Sequence, residues 1–321
     1  MTDRTTDNPD ILDLLPRLAA DDAGVRRIAL IELADLEDPE GLPWLTDALV
    51  VDPAAEVRAE AARLLEAWEE PEVVQALCAA LADGAEPVRL AAAQSLSELK
   101  TLEAGRVILP WVSHANAFVR SSALRALREL RLEEAACPAL LALEDVDAVV
   151  RREAVGILGW LKHDSALPEL ARLASDDADT EVRRAATGAL GLARDASVLA
   201  ALYAALRDTA WPVREEAATT LGKVGLADAG PALVQALTDD YWQVRLRAAR
   251  ALGRLRYREA LGELAVLLGH GIANLRKEAA LALGELGDAA ALPALRQAEA
   301  DGDPEVRKAV RIALAQLQGA A

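Results

Sequence analysis

Aromatic residues are nearly missing from this 321-residue chain, which has one Phe, three Tyr and six Trp. Methionine occurs once. A hydrophobic interior must therefore be assembled from Ala, Leu and Val, and small side chains reach native packing density only when helices lie close together. Cysteine is almost as scarce. Cys78 and Cys137 have neither metal-site spacing nor the density of a disulfide framework, which fits a reducing compartment. Both lie in Ala/Leu-rich stretches, so they are expected to be buried, inert thiols. Positive charge is in deficit: 35 Lys and Arg against 52 Asp and Glu give a net charge of -17. Such a chain is a poor general partner for nucleic acid, whose affinity rests largely on neutralised phosphates. No apolar run approaches the roughly 18 residues that cross a bilayer. The opening MTDRTTDNPD is polar and lacks the apolar run of a signal peptide. These absences lead us to expect a cytoplasmic protein with no membrane insertion and no nucleic-acid partner.

What is present is a repeat. A Val-Arg pair opens the segment Val244–Leu255, and it returns along the chain at Arg26, Arg58, Arg89, Arg120, Arg151, Arg183, Arg214, Arg245, Arg276 and Arg307 (after Leu275 in the ninth case). The intervals between these arginines are 31 or 32 residues throughout. A fixed period of this length is the mark of a stacked repeat architecture. Within each unit two helical patterns alternate. The first is short and carries a Pro near its first turn, as in Ala166–Ala174, where a missing N–H costs nothing. The second starts at the Val-Arg pair and runs about three turns. Loops rich in Asp, Gly and Pro separate them. Neither helix pair can bury its apolar face alone, so stability must come from stacking on the next pair.

An Asp precedes the anchor arginine by six residues at Asp52, Asp83, Asp145, Asp177, Asp208, Asp239 and Asp301. It is placed to cap the second helix and to meet an arginine of its own or the next unit, forming a polar ladder. His114 and His270 replace it in the fourth and ninth units, and a neutral cap is the expected role. Val310 and Ile312 in the last helix argue against a fully polar end face.

Paired helices with the V-R-x-x-A-A-x-A-L-G-x-L second helix and an Asp/Arg ladder resemble HEAT repeats, over essentially residues 11–321. The 31-residue length resembles the short subclass first associated with phycobilisome bilin lyases. The resemblance implies an all-α, right-handed α-solenoid of about ten two-helix repeats, with residues 1–10 as a disordered tail and 11–321 as a single array. It also implies that second helices line a concave surface. For function the resemblance is weak, because the same repeat serves scaffolds, lyases and assembly chaperones. Deoxyhypusine hydroxylase, an enzyme of this class, resembles an array with His-Glu pairs for iron. Here the histidines are followed by Ala115, Asp164 and Gly271, and no cofactor or metal is expected.

No phosphate loop, nucleophile elbow or dinucleotide fingerprint is present, so no catalytic residue is assigned. The surface slots of the second helices hold eleven bases and nine acids, a slight basic excess on an acidic protein. The fifth to eighth units stand out. Gly156 and Gly188 occupy a slot where a side chain would otherwise project, and glycine inside a helix costs up to about 1 kcal/mol relative to alanine, which suggests that space is needed. Trp160 borders them. Trp211, Tyr241 and Trp242 stand on consecutive loops, and Arg125, Arg152, Arg184, Arg247, Arg250 and Arg254 surround the region. Tryptophan and arginine are enriched at binding hot spots. These twelve residues are the expected partner-binding site of a non-catalytic scaffold or assembly factor, taking an acidic or extended segment of another protein. The alternative is a bilin lyase-like or tetrapyrrole-handling protein, with glycines flooring a pocket and arginines for propionates. Trp44, Trp68 and Trp111 fall on helix faces and are expected in the core.

Overall fold

The computed structural model describes residues 5–193 and 195–319, the last of these by its backbone alone. Met1–Arg4 and Ala320–Ala321, the extremes of the expected tail and array, lie outside the described residues. Among the described residues there are twenty α-helices and no strand. They form an α-solenoid of helix pairs. The chain divides into two compact units between Leu161 and Lys162. The periodicity alone gives one array over 11–321.

The N-terminal unit holds the pairs α1 (Pro9–Leu18) and α2 (Ala23–Asp35), α3 (Leu42–Val51) and α4 (Ala55–Leu64), α5 (Pro71–Ala80) and α6 (Glu86–Ser97), α7 (Leu102–Ile108) and α8 (Ala117–Arg128), and α9 (Ala136–Ala142) and α10 (Ala148–Leu161). The C-terminal unit holds α11 (Leu167–Asp176) and α12 (Thr180–Ala189), α13 (Leu199–Ala205) and α14 (Trp211–Val224), α15 (Gly230–Ala236) and α16 (Trp242–Leu255), α17 (Leu261–Leu267) and α18 (Ala273–Leu286), and α19 (Leu292–Gln297) and α20 (Pro304–Gly319). In each unit the even-numbered second helices pack on one another in sequence, with the first helices alongside. The anchor valines Val57, Val88, Val119, Val150, Val182, Val213 and Val244 are wholly buried between layers.

Order begins earlier than the composition suggested. Asn8 caps α1 by accepting the Asp10 backbone amide through its side chain, and its side-chain Nδ2 donates to Asp38 at 2.6 Å. Thr6 donates to Glu40 at 2.6 Å. The expected tail over 1–10 therefore already contains fixed contacts and the first turn of α1. At the other end Val310 is fully buried, leaving Ile312 as the exposed member of that pair.

The Leu-Gly signature has a packing cause. A Cβ built on Gly222 would come within 2.8 Å of Ala251 Cβ, one on Gly253 within 2.8 Å of Ala282 Cα, and one on Gly284 within 2.7 Å of Ala313 Cα. Glycine on one second helix thus meets alanine on the next, and the backbones touch almost directly.

The ladder exists, with the opposite partner from the one expected. In the N-terminal unit Arg26, Arg58 and Arg120 donate two hydrogen bonds each to Asp52, Asp83 and Asp145 of the following repeat, at 2.7–2.9 Å. In the C-terminal unit Arg183, Arg214 and Arg276 do the same to Asp208, Asp239 and Asp301. Each aspartate is therefore met by the arginine of the preceding repeat, not of its own or the next. What the repeat gives its own arginine is backbone carbonyls five and six residues earlier, as Arg58 Nη1 bonds Pro53 and Asp52. The aspartate also accepts the amide two residues on, as Asp83 does from Ala85.

Both histidines keep half of that role. His114 Nδ1 accepts the Asn116 amide and His270 Nδ1 accepts the Ile272 amide, each at 3.1 Å. The other half is lost. Arg245 Nη1 sits 3.3 Å from His270 Nε2, and Arg245 Nε is buried without a partner. A neutral ring that accepts through Nδ1 carries its proton on Nε2, so it points a donor at a donor.

Candidate functional site

At two clusters on the second-helix surfaces charge is layered: acids lie low and bases stand over them. In the N-terminal unit the Glu153 side chain is 5% exposed, whereas those of Arg125, Arg128 and Arg152, which contact it at 3.1, 3.5 and 3.3 Å, are 36–45% exposed. In the C-terminal unit Glu278, Glu215 and Glu216 are 10–25% exposed beneath Arg250, Arg247 and Lys223, at 36–50%. Arg250 grips Glu278 through two 2.7 Å bonds, a fork-to-fork pair. Other second-helix acids stand clear of the surface, among them Glu129 at 64% on the rim of the first cluster, Glu181 at 51% and Glu305 at 59%. Around Glu153, Glu215, Glu216 and Glu278 a near-balance of charge thus becomes a surface that presents mostly cationic groups.

The glycine positions do not leave open floor. A Cβ on Gly156 would meet the Arg128 Cδ at 3.0 Å, and one on Gly188 the Glu216 carboxylate at 3.0 Å. A neighbouring side chain lies across each, so the space read as a pocket is occupied. The reason is reach: long flexible side chains fold onto any bare stretch of helix. Trp160, about half exposed, has the Arg131 guanidinium 5.3 Å over its ring. Arg131 adopts a left-handed conformation (φ 53°) at the end of α8.

In the C-terminal unit Trp211 and Trp242 open α14 and α16. Trp211 stacks on Tyr241 with centroids 5.5 Å apart and planes at 15°, and Arg214 lies 5.5 Å over the Tyr241 ring. Arg254 is twelve residues along α16 from Trp242, about 18 Å at 1.5 Å per residue. The aromatic ridge and the far arginines are therefore two separate patches. Arg184 pairs with Glu181 in its own helix at 3.3 Å. Arg254 lines two adjoining clefts, one with Lys223 and Arg247, the other with Arg256, Glu285 and Gln316. Burial and the nearby Glu278 push the Glu285 carboxyl up, against the opposing pull of the neighbouring arginines.

Several other residues depart from expectation. Trp44, Trp68 and Trp111 are only half buried; Trp111 stacks on His114 at 5.8 Å. Cys78 is buried and its thiol is pushed up to about 12 by desolvation, but Cys137 is exposed at the first turn of α9. Among the described residues no group of His, Cys, Asp and Glu could hold a metal ion. No described helix is long and apolar enough to cross a membrane.

The HEAT-repeat family pattern matches residues 11–97, 74–155, 105–191, 138–221, 168–243 and 230–315. The chain belongs to the HEAT-repeat family. No protein of curated function matches it. Among solved structures, this HEAT-repeat chain is similar to an engineered protein (21% identity, 96% of this chain and 99% of that one, TM-score 0.55). It is similar to YibA of Escherichia coli (20% identity, 94% and 97%, TM-score 0.52). It is also similar to the karyopherin Kap121p bound to the extreme C-terminus of the protein phosphatase Cdc14p (15% identity, 96% and 41%, TM-score 0.69). The chain spans less than half of that karyopherin. At these identities the likeness is one of fold.

Proposed function

We propose that this HEAT-repeat protein is a non-catalytic scaffold that holds an acidic, extended segment of another protein against its second helices. The observation that carries the reading is the layered charge: Glu153 and Glu278 buried, and Glu215 and Glu216 half-buried, beneath arginines and a lysine that reach solvent. The cationic groups that reach solvent present a potential complementary to carboxylates. The Trp211–Tyr241 stack adds a rigid aromatic edge of the kind that anchors an interface. Kap121p, which shares the fold, was solved with the C-terminal end of another protein bound, a precedent for a repeat array taking a chain terminus. The 31-residue period is also that of the bilin lyase-type repeats, a link of fold.

Fluorescence anisotropy with labelled Glu-rich and Lys-rich peptides of equal length tests this. The Glu-rich peptide should bind, weakening steeply with salt. Arg184→Gln with Arg254→Gln should weaken it severalfold while the thermal midpoint holds. Equal binding of both peptides, or preference for a labelled single-stranded oligonucleotide, would overturn the reading.

A further inference from the structure

Resting on that reading of an acidic partner, we infer that the arginine cluster around Glu153 in the N-terminal unit receives a phosphorylated side chain of the partner, with an apolar or aromatic residue of the same segment seated on Trp160.

Three guanidinium groups share one carboxylate here. Arg125, Arg128 and Arg152 approach Glu153 no closer than 3.1 Å, whereas the six ladder pairs described above and the Arg250–Glu278 pair close to 2.7 or 2.8 Å. Arg128 Nε is buried with no acceptor at all. One carboxylate has about four lone-pair sites, and three guanidinium groups carry fifteen N–H donors between them. The cluster lacks acceptors, and Glu153, being almost wholly buried, serves as a post that aims the three forks outward.

The charge to be matched is specific. Three positive groups less Glu153 leave a surplus of two; Arg131 and Glu129 on the rim cancel. A phosphorylated side chain carries about -1.5 to -2 at neutral pH and three strong acceptor oxygens. A single carboxylate supplies half that charge. Arginine forks are the usual recognition element for such a group.

Trp160 sets the second requirement. Arg152, Gly156 and Trp160 lie at i, i+4 and i+8 on one face of α10, and the Arg128 stem crosses Gly156 between them. Eight residues of helix separate the arginine from the tryptophan by about 12 Å. An extended peptide covers that distance in three or four residues at about 3.3 Å each. One face of the half-exposed indole is taken by Arg131.

Isothermal titration of the full chain with three peptides tests the inference. Each has a phenylalanine three or four positions from a phosphoserine, a glutamate or a serine. The phosphoserine peptide should bind at least about tenfold tighter than the glutamate peptide, a difference of about 1.4 kcal/mol. Arg125→Gln with Arg152→Gln should abolish that preference; Arg152→Gln alone serves if the double variant unfolds. Trp160→Ala should weaken the phosphoserine and glutamate peptides by a similar factor. Equal affinity for phosphoserine and glutamate would overturn the phosphate assignment and leave the acidic-segment reading intact. Binding of neither more tightly than serine would end both for this surface. A phosphate preference that survives the arginine variants would place the site elsewhere and so overturn the inference.

Discussion

His270 shows how much one residue decides at a ladder position. Its Nδ1 reproduces the turn that an aspartate makes, but its Nε2 faces Arg245, and the arginine's Nε is left buried without a partner. Leaving a buried donor unsatisfied costs about 1–3 kcal/mol. His270→Asp is therefore expected to stabilise the C-terminal unit by about 1 kcal/mol, read as a higher denaturant midpoint. An unchanged or lower midpoint would mean that the histidine is already well accommodated. The histidine substitution itself was legible in the sequence, because it breaks a seven-fold recurrence of aspartate. Which arginine each aspartate meets was not. Spacing fixes that an Arg and an Asp stand at comparable heights, and only the stacking direction says which repeat supplies the partner. Cys137 was misread for a similar reason. Its neighbours are Ala and Leu, but it sits on the outward side of the first turn of a seven-residue helix.

Among the helices, glycine has two unrelated roles that look alike in the sequence. Gly284 brings α18 against α20, where an added methyl would strike Ala313 backbone at 2.7 Å. Gly188 only makes room for the end of the Glu216 side chain, which can swing away. Gly284→Ala should accordingly destabilise by about 1–3 kcal/mol through overpacking. Gly188→Ala should be neutral or stabilise by up to about 1 kcal/mol, since alanine favours helix. Denaturant unfolding of the two variants checks this, and equal losses would refute the distinction. Helix pairs and period were legible because small residues recur at fixed spacing. The candidate site was legible only as a composition. Arg125, Arg152 and Trp160 do converge on one face, while Trp242 and Arg254 stand at opposite ends of α16. The burial of Glu153 beneath three arginines left no trace in spacing, since it depends on how flexible side chains settle.

For the whole molecule the ladder ties stability to pH. Hydrogen bonds from Arg58 and Arg276 hold Asp83 and Asp301 below the usual carboxylate range, against some desolvation. At Asp52, Asp145, Asp208 and Asp239 burial pushes upward, but the arginine and a backbone amide outweigh it, and these too end low. A carboxylate whose folded pKa is depressed contributes stability that is present above its unfolded value, about 3.9, and is lost as pH falls through the folded value. Glu285, shifted upward, acts in the opposite sense and gains as pH falls. With six aspartates against one glutamate, the thermal midpoint should hold from neutral pH to about 5 and drop below about 4. A midpoint still level at pH 3 would refute a stabilising ladder. The division after Leu161 was invisible to the periodicity, which runs through it unbroken.

The ladder also has a direction: each arginine fastens its own helix forward onto the next. At Arg245 that fastening finds an imidazole, so α16 and α18 lack the ladder pair and are joined by apolar contact and the Arg250–Glu278 pair. Pulled from its C-terminal end, the C-terminal unit would give way first at that seam, with α17 to α20 leaving as one piece still clasped within itself by Arg276 and Asp301.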